Sequence, residues 1–320
     1  MNTFFKPFEI FSRLLRLPNL IIIALSQYFV RYCIFLPIFQ SRGVELQMGH
    51  WEFALLVFST LLIAAGGYVI NDYFDLRIDQ VNRPEKVVLQ KHISLRNANN
   101  LYYALTIPGC LLGIYLAYEV GSIKLGFIQL VSATVLYYYS LKYKRIAFAG
   151  NITVALLAAL SIIIVWLFEF FAMKQNPLIF GEIIGYFRTL NILVFGYAFF
   201  AFLLNLLREM IKDIEDIEGD KAFRCRTLPI IFGISKMHIV IILLSIASAL
   251  FIAYAGYSLL KWDYQIAGWY FSVIVGGLWF YYLIYLFKAK TKKEYHFLST
   301  LLKITIVAGI LSMQLLYASF

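Results

Sequence analysis

The sequence predicts an all-α, polytopic membrane protein, a bundle of nine transmembrane helices. Three observations carry that reading. The chain of 320 residues is 62% hydrophobic and only 14% charged, which leaves too little polar surface to cover a soluble domain of this length. Apolar runs of about 20 residues recur, long enough to cross a hydrocarbon core as helices. Basic residues gather in alternate connections between those runs, as topology requires of a multi-span protein.

The spans fall at roughly 18–40, 51–70, 99–119, 123–141, 146–173, 189–211, 234–260, 264–287 and 297–319. Ahead of them Phe4, Phe8, Phe11 and Leu15 recur at helical spacing, with Lys6, Arg13 and Arg16 interspersed. That pattern predicts an interfacial helix over residues 1–17, not a cleavable signal. The whole chain, 1–320, then reads as a single transmembrane domain. Of the 28 basic residues, 21 lie on one side: the N-terminus and the connections after spans 2, 4, 6 and 8. The opposite connections hold five, and Arg31 and Lys303 lie within spans. The richer side is expected to be cytoplasmic, in a cell (inner) membrane. The net charge of +10 is therefore a topology signal and needs no nucleic acid. The three cysteines and four histidines are scattered, with neither a disulfide framework nor a zinc knuckle among them.

The chemistry concentrates in aspartates. Six of the seven form two triplets, Asp72, Asp75, Asp79 and Asp213, Asp216, Asp220. Both have the spacing i, i+3, i+7, which predicts three carboxylates along one helical face. Each triplet begins at the cytoplasmic end of a span, the second and the sixth. Those two helices run parallel, so the triplets can face each other at one depth. A bare carboxylate ladder repels itself and makes sense around a divalent cation. Magnesium prefers a few carboxylate oxygens completed by water and substrate phosphate. Two such ladders would grip a diphosphate from both sides, with Arg83, Lys86, Lys142, Arg208, Lys212 and Arg226 neutralising the rest. Asn71 adds an oxygen beside Asp72, and Lys144 lies in the same connection as Lys142. Ordinary charged helix ends would explain any one aspartate, but two triplets of identical spacing at matching span ends point to a site.

At these residues the chain resembles the UbiA-type intramembrane prenyltransferase superfamily. "NDYFDLRID" matches that family's first aspartate motif at Asn71, Asp72, Asp75 and Asp79. "DIEDIEGD" matches the second at Asp213, Asp216 and Asp220, and Tyr138 to Lys142 fits its YxxxK pattern. The resemblance implies a cytoplasmic-side active-site cavity and magnesium as cofactor. It also implies Asp72, Asp75, Asp213 and Asp216 as the catalytic core of prenyl transfer from an allylic diphosphate to a lipid-soluble acceptor. "NRPEK" and the sequence around the second motif are most similar to the digeranylgeranylglyceryl-phosphate synthase branch, whose acceptor is a prenylglyceryl phosphate. After Pro84 the chain reads "EKVVLQKHIS" where that branch tends to a second proline and a Ser-Gly turn. An aromatic quinone precursor is the alternative acceptor. A cation transporter is the alternative of another class, set against by carboxylates that lie at span ends beside many cations. Membrane lipid is the expected surrounding, with no obligatory protein partner.

Overall fold

The computed structural model describes residues 5–318, and it is helical with no strand among them. Helix α1 (Phe5–Leu14) precedes the first span, which comprises α2 (Leu17–Phe29), a π-helical turn (Val30–Phe35) and α3 (Leu36–Gln40). The π turn ends just ahead of Pro37, which has no N–H to give. Then follow α4 (His50–Asn82), α5 (Leu95–Glu119), α6 (Gly126–Leu141) and α7 (Ala149–Lys174). The short α8 (Pro177–Ile183) leads into α9 (Phe187–Glu215), followed by two short helices, α10 (Ile217–Ala222) and α11 (Leu228–Phe232). The bundle is completed by α12 (Ile234–Lys261), α13 (Gln265–Tyr270), α14 (Gly276–Lys288) and α15 (Lys292–Tyr317).

Among the described residues eight segments are long and apolar enough to span a membrane, so the chain is a multi-pass membrane protein. The ninth expected span is α6, whose 16 residues cover about 24 Å at 1.5 Å per residue, short of a 30 Å hydrocarbon core. It is preceded by a 3-10 turn, Ile123–Leu125, and packs against α4 and α5. Of the stretch expected to be interfacial, residues 5–14 form α1; residues 1–4 lie outside the described residues.

Small residues set the closest helix approaches, as expected where lipid supplies no hydrophobic drive between helices. A Cβ on Gly66 of α4 would stand 2.3 Å from Thr106 Oγ1 of α5, so any larger residue would force the Thr106 side chain to turn away. The last span is started by a capping box: Thr291 accepts from Glu294 N, while Glu294 Oε2 accepts from Thr291 N at 2.7 Å.

At the end of the bundle away from the aspartates, Arg31 and Glu169 form a buried ion pair, Nη1 to Oε2 at 3.0 Å. Both are 1% exposed. Glu169 Oε1 also accepts from Gln47 N at 2.6 Å, and Arg31 donates to Met48 O. The guanidinium lies 4.7 Å from the centre of the Phe53 ring. The pair thereby pins the 44–49 connection to the π-helical turn of the first span and to α7. Removing one member strands a desolvated charge. Glu169→Leu is expected to cost about 3–5 kcal/mol, read as thermal unfolding in detergent, and Arg31→Met with Glu169→Leu is expected to recover most of it. A double variant no more stable than the single would show that the pair's value lies elsewhere.

Candidate functional site

The first aspartate triplet rides on one unbroken helix. α4 runs 33 residues, well past the apolar stretch, and stops at Asn82 where Arg83 turns out of helical geometry ahead of Pro84. Asp72, Asp75 and Asp79 therefore do share a helix, as their spacing predicts. The second triplet does not. α9 ends at Glu215, Asp216 is its cap at φ −97° and ψ 6°, and Asp220 belongs to α10. The i, i+3, i+7 spacing is split by a break in the helix, so the expected single face is replaced by two.

Asn82 joins the triplets. Its Nδ2 donates to Asp216 O at 3.0 Å and its Oδ1 accepts from Gly219 N at 2.8 Å. A Cβ on Gly219 would stand 2.5 Å from Asn82 Nδ2, so the glycine is required by this approach. The next residue, Arg83, donates to both Asp216 oxygens at 2.8 and 2.9 Å and pairs with Glu215 at 3.1 Å. The two motifs are thus tied where α4 ends. Nothing in the aspartate spacing signals Asn82.

A cavity of about 830 Å³ opens between α2, α4, α6, α7, α9 and α15. Asn71, Asp72, Asp79, Asp213 and Asp216 line it, together with Arg83, Arg208 and Lys212. Asp75 is 1% exposed and paired by Lys144, and Asp220 is buried beside the site. Lys144 carries charge for the whole cluster: it pairs with Asp75 and lies within electrostatic reach of Asp79, Asp213, Asp216 and Asp220. Burial opposes its charge, but the acidic groups around it, Asp75 foremost, together outweigh that and hold its pKa above the ordinary lysine value. Burial pushes the Asp220 carboxyl up to about 6, with Lys144 opposing. It raises Asp216 as well, against Arg83.

Several side chains fall differently from the sequence expectation. Lys142 caps α6 and is exposed, outside the cavity lining. The 3-10 turn Tyr143–Arg145 that follows departs from helical period and carries Lys144 inward. Arg226 is exposed, and its backbone N–H bonds Arg145 O at 2.9 Å. The Lys86 side chain lies outside the described residues. Tyr68 and Tyr139 line the cavity, whereas Tyr138 is largely exposed. Sequence spacing missed Arg16, which reaches from the start of α2 to Asp72 at 2.8 Å and lies 4.9 Å from the centre of the Tyr68 ring. It missed Asn151, which donates to Asp213 Oδ2 at 2.8 Å, and Glu209, which Lys212 holds at 2.5 Å. The intramembrane position of Lys303 was its one visible signal.

Among the described residues no three His, Cys, Asp or Glu side chains converge into a ready metal cage. The donors fit magnesium in another way. Asp75 Oδ1 is buried without a hydrogen-bond partner, and the Asp72, Asp79 and Asp213 carboxylates open on the same cavity. Oxygen donors from separate helices, with room between them for water and phosphate, match what that hard ion accepts.

The model of the UbiA prenyltransferase family matches residues 38–306. The chain is 31% identical over 271 residues to the digeranylgeranylglyceryl phosphate synthase of Methanosphaera stadtmanae, covering 83% of this chain and 89% of that protein. It is 41% identical over 185 residues to the same-named protein of Pyrococcus furiosus, about half of either chain (55% each). Its fold matches a solved structure of a digeranylgeranylglyceryl phosphate synthase in membranes, with a TM-score of 0.60 at 25% identity over 96% of this chain and 97% of that one. A UbiA homolog from Archaeoglobus fulgidus, bound to GPP and Mg2+, shares the fold with a TM-score of 0.57 at 14% identity, covering 95% and 99% of the two chains.

Removing the tie between the motifs should be felt in both stability and binding. Asn82→Ala strands the Gly219 N–H, at about 1–3 kcal/mol, measurable as thermal unfolding in detergent, while the Asp216 carbonyl keeps its bond from Asp220 N. Calorimetric titration with magnesium pyrophosphate should show weaker binding by the same variant. Unchanged values in both experiments would remove Asn82 from the site.

Proposed function

The chain belongs to the UbiA prenyltransferase family, and from that premise we propose that it transfers a prenyl group from an allylic prenyl diphosphate to a prenylglyceryl phosphate. The acceptor reading is supported by the relatives named digeranylgeranylglyceryl phosphate synthase. The observation that carries the site assignment is the convergence of both aspartate motifs on one cavity, with Lys144 within reach of aspartates from each.

In this reading the diphosphate lies at the aspartate end. Asn71, Asp72, Asp75, Asp79, Asp213, Asp216 and Asp220 are the residues that would hold magnesium, directly or through water. Bound magnesium supplies Lewis-acid stabilisation of the departing diphosphate. Arg83, Lys144 and Lys212 share the remaining negative charge. Lys144 exchanges Asp75 for a phosphate oxygen, which leaves both Asp75 oxygens free as ligands. The allylic C–O bond breaks with its electron pair going to the diphosphate, and the acceptor hydroxyl oxygen bonds to the allylic carbon. The hydroxyl proton leaves with the diphosphate. Tyr68 and Tyr139 line the cavity, and a ring face turned to the allylic carbon would stabilise its cation by about 0.5–2 kcal/mol. Ile63, Leu136, Val154 and Leu157 line the cavity and keep water from that carbon. Lys86 remains a diphosphate-binding residue of this reading, whereas the exposed Lys142 and Arg226 attract the anion from solution. The motif-bearing connections face the cytoplasm, in keeping with the basic-residue asymmetry, and residues 1–320 act as one domain with α1 at the interface.

The test is turnover of labelled geranylgeranyl diphosphate by purified protein with a panel of acceptors. Expected are diphosphate release only with magnesium, complete loss on chelation, and a product heavier than the prenylglyceryl phosphate by one prenyl unit. Product formed only with aromatic acids would overturn the acceptor. A paired comparison tests the cation assignment. Lys144→Met should lower kcat/KM by about 10²–10³, the scale of one lost transition-state donor, while Lys142→Met stays within about threefold. The reverse order would restore the expectation drawn from the YxxxK pattern.

A further inference from the structure

Part of the cavity's charge is left over once the diphosphate end is assigned, on the wall formed by α9 and α15. Lys303 is on α15, about 16 Å along the axis from Lys292 at 1.5 Å per residue. Lys292 marks the mouth, where its Nζ reaches Asn82 O at 3.2 Å. Asp72 is about 15 Å from Asn82 along α4, so Lys303 and Asp72 lie at a common depth. The Lys303 ammonium contacts only a neutral group, Asn19 Oδ1 at 2.7 Å, and no carboxylate among the described residues pairs with it.

The neighbouring charges do not make up the deficit. Arg16 and Asp72 satisfy each other at 2.8 Å, and Lys212 takes the Glu209 carboxylate at 2.5 Å. Arg208 reaches that same Glu209 oxygen only at 3.4 Å, and its buried Nε has no partner. Arg208 is also close enough to act on Lys303 as a second positive charge. Two cations are therefore in surplus on one wall of a membrane-embedded cavity, where unpaired charge is costly. A phosphate monoester, at about −1.5 to −2 near neutral pH, matches that surplus. The wall continues correctly for a lipid. Ile306 and Ile310 follow Lys303 at i+3 and i+7 and also line the cavity, so a headgroup on Lys303 would leave its chain on an apolar stripe of the same helix.

We propose that Lys303 and Arg208, with Arg16 beside them, form a second anion subsite that holds the phosphate monoester of the lipid acceptor, apart from the magnesium diphosphate. The assignment rests on the reading of the acceptor as a glyceryl phosphate. It makes Lys303 a residue that determines acceptor specificity.

The experiment uses full-length protein in detergent, as wild type, Lys303→Met and Lys303→Arg. Kinetics with geranylgeranyl diphosphate and a prenylglyceryl phosphate should give Lys303→Met an acceptor KM at least tenfold higher, with the diphosphate KM within twofold and Lys303→Arg in between. Direct titration of an alkylglyceryl phosphate, without magnesium or diphosphate, should show the same tenfold loss, whereas the dephosphorylated alkylglycerol should bind all three proteins alike. Inorganic phosphate should compete with the alkylglyceryl phosphate on wild type. A raised diphosphate KM with an unchanged acceptor KM, or equal binding of the alkylglyceryl phosphate to wild type and Lys303→Met, overturns the subsite. If Lys303→Met does not fold, Lys303→Gln replaces it under the same criteria. Wild type that binds the alkylglyceryl phosphate through Lys303 yet prenylates no glyceryl phosphate would overturn the acceptor reading and leave the anion subsite standing.

Discussion

A carboxylate that is almost wholly removed from solvent must be compensated, and Asp75 is the point on which this structure turns. Its partner is Lys144, delivered from the α6–α7 connection by a single 3-10 turn. That pairing fixes how α6 and α7 close against α4, and it places one positive charge among five aspartates contributed by both motifs. The same pairing is exchangeable. A phosphate oxygen would offer Lys144 an equal partner, so under the proposed function the interaction that compensates Asp75 is also one that a bound phosphate can replace.

Much of this was legible in the chain. Helical class and spans follow from apolar run length, and both aspartate motifs from spacing alone, because carboxylates are rare in a sequence with 14% charged residues. Less legible was anything beyond a helix end. Asp213 and Asp216 have the spacing of their counterparts on α4, yet α9 stops between Asp213 and Asp216 as α10 folds across Asn82. Periodicity assumes an intact helix and cannot register such a break. Lys142 is the lysine of the YxxxK pattern, but α6 ends at Leu141 and the 3-10 turn that follows brings Lys144 to the aspartates instead.

The side chains that the sequence did not reveal share a second cause. Arg16, Asn19, Asn151 and Lys303 come from helices distant in sequence and meet only when α2, α7 and α15 assemble. Polar residues buried in a lipid-facing bundle must find each other, and their mutual selection is a tertiary event. The Arg31–Glu169 pair at the far end belongs to the same class. It organises a connection, whereas the cations near Asp72 face open space.

The Asn82 tie has a consequence for how such a protein can diversify. Because the second motif is fastened to the last residue of α4 by backbone atoms of Asp216 and Gly219 and to Arg83 just after it, the tie between the motifs is complete before the chain enters residues 84–94. That connection packs Val87, Val88 and Leu89 with Leu14 of α1 into a separate small core, and the three of them also line the cavity. Reaction chemistry and the rim that screens incoming molecules are thereby built as separable modules. Substitutions in the rim, such as those that distinguish "EKVVLQKHIS" here, can retune which lipid enters without disturbing the geometry that breaks its partner's carbon–oxygen bond.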